Sequence, residues 1–200
     1  MSDAPARPRG RPRLFDEESA LDEATSLFWR KGYSQTSVAD LVDATGVNKP
    51  SLYRVFGSKE ELFAKILRRY LDTRMEMFAE LIDSVGPGVD GIHTFLSLIG
   101  DDIVAGTSSN GCLLVVSSTE LAGTTPGFAD FGAAYRSALH QRISVLVARA
   151  GGTPALIDER TYVLVTWLIG LDVTTRGGGS EQELSHVIDA MHAVVETWRV

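Results

Sequence analysis

The sequence predicts an all-α fold in which three short helices are followed by a connecting helix and then by a larger helical body. Three features favour this fold: apolar residues recur at helical spacing, capping residues stand before these stripes, and strand patterns are scarce. The chain has 200 residues, of which 44% are hydrophobic and 22% are charged. This length and composition suit a compact protein with a buried core and exclude an intrinsically disordered one.

The three short helices are each framed by a capping residue in front and a glycine behind. The first helix is predicted to begin after Asp16 and to end at Gly32. The second begins after Thr36 or Ser37, and the third begins after Asn48. Only a short turn that contains glycine separates the second helix from the third, which is the arrangement of a helix-turn-helix unit.

The third helix divides into an inward and an outward face. At about 100° per residue, Leu52 and Phe56 point inward together. The outward side carries Lys49, Ser51, Tyr53 and Arg54. Such side chains can contact phosphates and base edges, so the three helices are typical of a DNA-binding head, although any small helical bundle shares their caps and stripes. A longer fourth helix is predicted to begin after Ser58, with Glu61 at the capping-box position.

Charge is distributed unevenly along the chain. Residues 1–74 hold 13 Lys and Arg against 11 Asp and Glu, whereas residues 75–200 hold 6 against 15. A basic first third on an acidic remainder indicates a head that binds a polyanion. Residues 1–13, where arginines alternate with Pro and Gly, are predicted to form a flexible basic arm. The alternative is a solvated tail that takes no part in binding.

A dense motif covers the predicted head: GY at 32–33, TSV at 36–38 and ATGVNKPSLYRVFGSKEEL at 44–62. It resembles the DNA-binding domain of TetR-type transcriptional regulators, over about residues 14–70. The family commonly has Ser and Gly where this chain has Asn48 and Pro50, and often His where it has Val55. Since Asn caps a helix as well as Ser does, the expected fold is unaffected. The resemblance implies a DNA-binding domain at 14–74 and a ligand-binding and dimerisation domain at 75–200.

The same resemblance implies roles for individual residues of the head. Tyr53 and Lys59 match the family's phosphate clamps, and Thr36 matches the residue that caps the second helix beside the DNA backbone. Lys49, Ser51 and Arg54 stand where family members reach the major groove. The less specific alternatives are that Tyr53 is a partly buried packing residue and that Lys59 is a solvated first-turn residue. The full set of DNA-binding candidates is Arg9, Arg11, Arg13, Thr36, Ser37, Asn48, Lys49, Pro50, Ser51, Tyr53, Arg54 and Lys59.

The body is predicted to contain helices at about 91–105, 112–121, 126–149, 154–175 and 180–198. The last two helices carry wide apolar stripes. The resemblance implies that they pair with their two-fold mates in a homodimer, while burial within one protomer is the alternative. The dimer-interface candidates are Val163, Leu164, Leu168, Leu171, Val187, Ile188, Met191, Val194, Val195 and Trp198.

The middle helices of the body are predicted to enclose an apolar cavity for a small molecule. Its candidate lining residues are Phe78, Phe95, Leu98, Cys112, Phe128, Phe131, Tyr135 and Trp167. Each of these is also a plausible core residue. Cys112 stands at a helix start, where the helix dipole is expected to lower its pKa and favour a sensor thiolate; the alternative is an inert buried thiol.

Nothing in the sequence points to catalysis, to a metal site or to another cofactor. The segment GPGVDG at 86–91 matches a phosphate-binding pattern literally, but a helix is predicted before it where that site needs a strand. The four histidines show no metal-ligand spacing. With one cysteine, no apolar leader and no long apolar run, we expect a soluble cytoplasmic protein. The competing class is a helical enzyme or a binding module without a DNA function.

The resemblance therefore implies a ligand-responsive transcriptional repressor. Such a protein binds a palindromic operator in double-stranded DNA as a homodimer and is released by a small-molecule effector. Activation instead of repression stays open, and the sequence identifies neither the effector nor the operator.

Overall fold

A computed structural model of the chain describes residues 16–105, 111–121 and 126–199, and every regular element in these ranges is an α-helix. The predicted all-α fold is confirmed. The helices are α1 (Glu17–Lys31), α2 (Val38–Thr45), α3 (Lys49–Phe56), α4 (Lys59–Ser84), α5 (Gly88–Val104), α6 (Leu113–Glu120), α7 (Pro126–Ala148), α8 (Pro154–Arg176) and α9 (Glu181–Glu196). Within the described ranges no helix has both the length and the apolar character needed to cross a membrane.

Side-chain caps fix the starts of the first four helices. Asp16 caps α1, Ser37 caps α2 and Asn48 caps α3, in each case by accepting a backbone N–H of the first turn. Ser58 caps α4, and Glu61 completes the capping box by accepting the Ser58 N–H at 2.7 Å. These caps are local in sequence, which is why the helix starts could be predicted.

The body helices lie close to their predicted positions, with one clear difference at α5. This helix begins at Gly88, earlier than the predicted start at residue 91. The segment 86–91 therefore joins two helices and forms the first turn of the second, and it has no strand before it. A phosphate-binding loop of the strand–loop–helix kind is excluded at this segment.

Helix α4 connects the two halves of the molecule. Its first half packs against α1 and α3, and α2 packs on these same two helices. The buried residues of this part include Phe28, Leu41, Leu52 and Phe63. Helix α4 then runs unbroken past residue 74, where the sequence analysis placed a domain boundary, and packs against α6 and α7. Below we call residues 16–74 the head and residues 75–199 the body. In the body, α5 packs on α9, and α7 packs on α8.

Candidate DNA-binding surface and body cavity

The outward face of α3 is exposed and mostly polar. Leu52 and Phe56 are buried, so the helix is held by its inward side. The outward residues are Asn48, Lys49, Pro50, Tyr53 and Arg54, all of which are exposed. The Tyr53 side chain is 41% exposed, and the Lys49 Nζ lies 5.8 Å from the centre of its ring. The Tyr53 ring thus lies on the exposed side of α3, and its role at DNA stays a prediction.

Two of the predicted DNA-binding residues, Asn48 and Ser37, cap helices through their side chains. The side chain of Asn48 accepts the N–H of Ser51 at 3.0 Å. The Ser37 hydroxyl accepts the Asp40 N–H at 3.1 Å and donates to the Asp40 carboxylate at 2.7 Å. Ser51 itself is half-buried. Ser37 and Asn48 fix the starts of α2 and α3.

Thr36 differs from its prediction. Its side chain is 1% exposed, and its hydroxyl donates to the Gly32 carbonyl at 2.6 Å. The expectation that Thr36 caps α2 beside the DNA is therefore wrong, because Ser37 is the capping residue of α2. The Thr36 side chain instead stabilises the turn between α1 and α2.

Lys59 stands in the first turn of α4 and is half-buried. Its Nζ lies 4.1 Å from the centre of the Tyr33 ring. Partial burial lowers the pKa of the ammonium, while the nearby carboxylates of Glu120 and Asp40 act in the opposite direction. Lys59 is therefore held against the turn between α1 and α2, unlike the fully solvated first-turn lysine of the alternative.

The predicted arm residues Arg9, Arg11 and Arg13 lie outside the described residues. Their role stays a prediction from the sequence.

Helix α6 is bonded to the head at both of its ends. At its C-terminal end, the Glu120 carboxylate accepts the N–H of Tyr33 at 3.0 Å and the N–H of Ser34 at 2.7 Å. Just before its N-terminal end, the Gly111 carbonyl accepts the Trp29 indole N–H at 3.1 Å. The sequence analysis missed these contacts, since no local pattern marks a carboxylate that bonds to a turn 86 residues away.

Gly32 makes the close approach of Glu120 possible. Its φ of 82° lies in the region that side chains rarely adopt, and an added Cβ would come within 2.9 Å of the Glu120 Oε2. Partial burial opposes ionisation of Glu120, but the hydrogen bonds from Ser34 and Tyr33 and the charge of Lys59 outweigh it and lower the pKa of this carboxyl. The joint between head and body is therefore a charged hydrogen-bonded contact.

A cavity of about 180 Å³ lies in the body between α4, α5 and α8. It is lined by Arg74, Met77, Leu81, Leu98, Ile99, Asp102, Ile103 and Asp172. Of the eight predicted lining residues, Leu98 borders this cavity, with 43% of its side chain exposed. Phe78 and Phe95 are buried beside each other, with ring centres 6.2 Å apart.

Three other predicted lining residues lie elsewhere. Phe128 packs on Tyr33 and Phe63 of the head, with ring centres 5.4 Å apart in both pairs, and Phe131 packs behind it. Trp167 is buried against α9 and donates its indole N–H to the Val187 carbonyl at 3.2 Å. These corrections have one cause: an apolar stripe shows that a residue is buried but not against which neighbour.

Cys112, Tyr135 and Asp172 are buried next to the cavity and form a polar cluster with the half-buried Tyr70 and Arg74. Burial raises the pKa of the Cys112 thiol, and the charge of Asp172 adds to the effect. The expected lowering of this pKa by the α6 dipole is therefore wrong, because the side chain is only 1% exposed. The structure agrees with the alternative of a buried, protonated thiol.

Most of the dimer-interface candidates are buried inside the protomer. These are Leu164, Leu168, Leu171, Ile188, Met191, Val195 and Trp198. Val163 and Val194 are each 41% exposed, and Val187 is half-buried. Burial within one protomer thus accounts for most of both stripes, and Val163 on α8 and Val194 on α9 are the candidates that stay exposed.

No group of three metal-ligating side chains comes together in the parts of the chain that the structure describes. His93 and His192 stack with their Nδ1 atoms 2.7 Å apart, and His93 also bonds to Glu196. This arrangement joins α5 to α9.

Comparison with known proteins agrees with the architecture. The family model described as bacterial regulatory proteins of the tetR family matches residues 20–66. The HTH-type transcriptional repressor ComR of Escherichia coli (strain K12) is 30% identical over 188 residues, which cover 90% of this chain and 88% of ComR. The HTH-type transcriptional repressor BdcR of the same strain is 30% identical over 179 residues, with the same coverage of both chains.

A solved structure extends the likeness to a DNA complex. It contains a cysteine mutant of the TetR family transcriptional regulator CifR bound to 26-bp double-strand operator DNA. The match has a TM-score of 0.74 and 29% identity, and it covers 92% of this chain and 98% of that one. Motif, architecture and full-length likeness agree, and the chain belongs to the TetR family of DNA-binding transcriptional regulators, which are not enzymes.

Proposed function

We propose that this protein is a repressor that binds a palindromic operator as a homodimer and is released by a small-molecule effector. The observation that carries the proposal is the attachment of α6 to the head at both ends, through Gly111 and Glu120. Because α6 also packs against α4, α7 and α8, a change in the body moves a helix that is bonded to the DNA-binding head.

The outward face of α3 supports the DNA-binding step. Arg54 and Lys49 supply positive charge there, and Tyr53 supplies a hydroxyl on an exposed ring. Lys59 and the start of α2 flank this face and suit contacts with phosphates, which position a protein without reading sequence. Contacts from Lys49 and Arg54 to base edges would carry the sequence preference.

A dimer is needed because a single short helix offers few base contacts. Two copies related by a two-fold axis would place their α3 helices in successive major grooves, about 34 Å apart. The outward faces of α8 and α9 support such a pairing: Tyr162, Val163 and Val173 are exposed on one side of α8, and Val194 is exposed on α9. Exposed apolar residues aligned on two adjacent helices are a typical interface between protomers.

Release follows from linkage between the two sites. An effector that prefers a conformation with a different separation of the two heads lowers DNA affinity by its coupling free energy, typically about 1–3 kcal/mol. The cavity beside Arg74 is the site where we place the effector, since it borders α4, the helix shared by head and body.

DNA binding is tested by fluorescence anisotropy on duplexes from the region upstream of the gene. We expect salt-sensitive, sequence-specific binding that weakens in Lys49→Ala and Arg54→Ala. Lys65→Ala is the matched control, because Lys65 is an exposed lysine on α4 whose Nζ lies 5.3 Å from the ring of Phe56, on the inward side of α3. Binding of equal strength to every duplex, or equal losses in Lys49→Ala and Lys65→Ala, would contradict the proposed base contacts.

The dimer is tested by sedimentation of Val163→Glu and Val194→Glu at micromolar concentration. Both changes place a charge in the proposed interface and should give monomers. Val145→Glu is the control, since Val145 is 49% exposed and lies on α7, which is neither of the two helices of the proposed interface. Sedimentation of both interface variants as the parent dimer would rule out this face.

A further inference from the structure

The cavity between α4, α5 and α8 is lined by two side chains of opposite charge. Arg74 and Asp172 both line it, and Asp172 is only 7% exposed. The two side chains attract each other through space, but no hydrogen bond joins the Asp172 carboxylate to Arg74. A half-buried cation and a buried anion that share a cavity without an ion pair between them leave hydrogen-bonding capacity on both sides.

Arg74 has a buried donor that is not satisfied, its Nε–H. A guanidinium has five N–H donors. Among the described residues, its Nη1 donates to the Met77 sulfur at 3.9 Å, which is a weak hydrogen bond, and its Nε has no partner. The group also lies 5.1 Å from the centre of the Phe78 ring, and this contact holds the guanidinium in place at the cavity wall.

Apart from Asp102, the rest of the lining is apolar, and the volume of the cavity is small. Met77, Leu81, Leu98, Ile99 and Ile103 form the apolar wall. A volume of about 180 Å³ is close to that of engineered apolar cavities that hold a benzene molecule, and it is below the range typical of drug-sized ligands. The occupant is therefore no larger than about one aromatic ring with a small substituent.

The charged lining residues limit which chemical class of compound the cavity could bind. An anion would pair with Arg74 but meet the carboxylates of Asp172 and Asp102, which both line the cavity. A cationic group carries only donors, so it would lie against the guanidinium and leave the Nε–H of Arg74 without an acceptor. A hydrocarbon would offer no partner to either Arg74 or Asp172. A hydroxyl group can accept a hydrogen bond from an N–H donor and donate one to a carboxylate at the same time.

We propose that this cavity binds a small uncharged hydroxyl compound, a phenol or an alcohol of similar size, with its hydroxyl group between Arg74 and Asp172. Its apolar part lies against the leucines and isoleucines of α4 and α5. The inference rests on the proposed function for its biological meaning, because the bound compound would be the effector. The binding itself is a property of the body and can be measured without DNA.

The experiment compares phenol, benzene and benzoate, three probes of similar ring size that differ in polar group and charge. Binding to the purified full-length protein at pH 7.5 is measured by calorimetry. We expect phenol to bind at least about tenfold more tightly than either of the other two, as one satisfied buried hydrogen bond allows. Benzene or benzoate binding as tightly as phenol would overturn the proposal.

Two variants test whether phenol binds in this cavity and whether Asp172 excludes anions from it. Leu98→Trp should fill the mouth of the cavity and reduce phenol binding at least about tenfold, whereas Val145→Trp, also on an exposed apolar residue, should leave it unchanged. Asp172→Asn removes the carboxylate that repels an anion, so benzoate binding should increase while phenol binding falls. Unchanged phenol binding in Leu98→Trp, or unchanged benzoate binding in Asp172→Asn, would contradict the site.

Anisotropy of the DNA complex separates this inference from the proposed function. If phenol binds as described and also releases DNA, both stand. If phenol binds with the predicted selectivity and the DNA affinity does not change, the cavity proposal stands and its role as effector site fails.

Discussion

The carboxylate of Glu120 on α6 accepts the backbone N–H of Ser34 at 2.7 Å, so that a body helix holds the turn between α1 and α2. The neighbouring N–H of Tyr33 bonds to the same carboxylate at 3.0 Å. Because Lys59 lies beside this pair, the position of a lysine near the proposed DNA surface depends on a residue of the body.

Glu120→Gln should destabilise the protein at pH 7 by about 1–2 kcal/mol at this partly exposed site. Each carboxylate oxygen accepts one backbone N–H, whereas the glutamine amide has a single acceptor oxygen and turns its NH2 group towards the other donor. The folded-state pKa of Glu120 is lowered, so its contribution is present above the unfolded value of about 4.5 and is lost as the pH falls through the folded value. Thermal melts of both proteins from pH 7 to pH 3 should therefore converge at the acid end. Glu76→Gln, on the exposed side of α4, is the control; an equal loss there would contradict a specific role of Glu120.

Gly32→Ala should cost about 3 kcal/mol, since it combines an unfavourable φ with a contact to the Glu120 carboxylate. Gly46→Ala is the comparison, because Gly46 also has a positive φ but has no atom within 4 Å of an added Cβ; its cost should be about 1 kcal/mol. Urea unfolding of the two variants measures the difference. In a Glu120→Ala background the extra cost of Gly32→Ala should shrink, and an undiminished cost would show that the carboxylate is not its cause.

Lys59→Ala should weaken binding to all DNA sequences alike, because a phosphate contact carries no sequence information. Each phosphate contact that is lost reduces the slope of log affinity against log salt by about 0.9. Anisotropy titrations between low and high salt measure both quantities, with Lys65→Ala as the control on the same helix. An unchanged slope in Lys59→Ala would mean that this lysine serves only the Tyr33 ring and the Glu120 carboxylate.

Deleting residues 2–13 should weaken DNA binding and flatten its salt dependence, since the sequence places four arginines there. The melting temperature and the oligomeric state should stay nearly the same, because the arm precedes the cap of α1. The salt slope of the truncated protein is the measurement. A slope equal to that of the full chain would favour the solvated tail.

Asp172→Asn should change the pH dependence of stability. Burial raises the pKa of the Asp172 carboxyl from 3.8 to about 6, against the attraction of Arg74. A raised folded-state pKa gives a contribution that is fully present below the unfolded value and is lost as the pH rises through the folded one. The melting temperature of the variant relative to the parent should therefore be highest near pH 7.5 and should fall towards pH 5. Asp101→Asn, an exposed control on α5, should show no such trend.

Local signals in the sequence predict the helices. The contacts between the head and the body could not be predicted, because they join residues far apart in the chain. Ser58 and Glu61 are three residues apart, so their capping box is legible in the sequence. Glu120 and Ser34 are separated by 86 residues and follow no periodic pattern. The outward face of α3 was predictable because its spacing is helical, whereas the pairing of Arg74 with Asp172 across a cavity depends on how α4 and α8 pack.

The hydrogen bond between the Trp29 indole and the Gly111 carbonyl has an optical consequence. Indole emission responds to the polarity and hydrogen bonding of its surroundings, and this indole lies in the seam between head and body. The chain has three tryptophans, and the other two, Trp167 and Trp198, are 9% and 7% exposed and pack near α9. With those two replaced by phenylalanine, the intrinsic tryptophan fluorescence of the protein would report, without a label, whether the Trp29–Gly111 contact between head and body is formed.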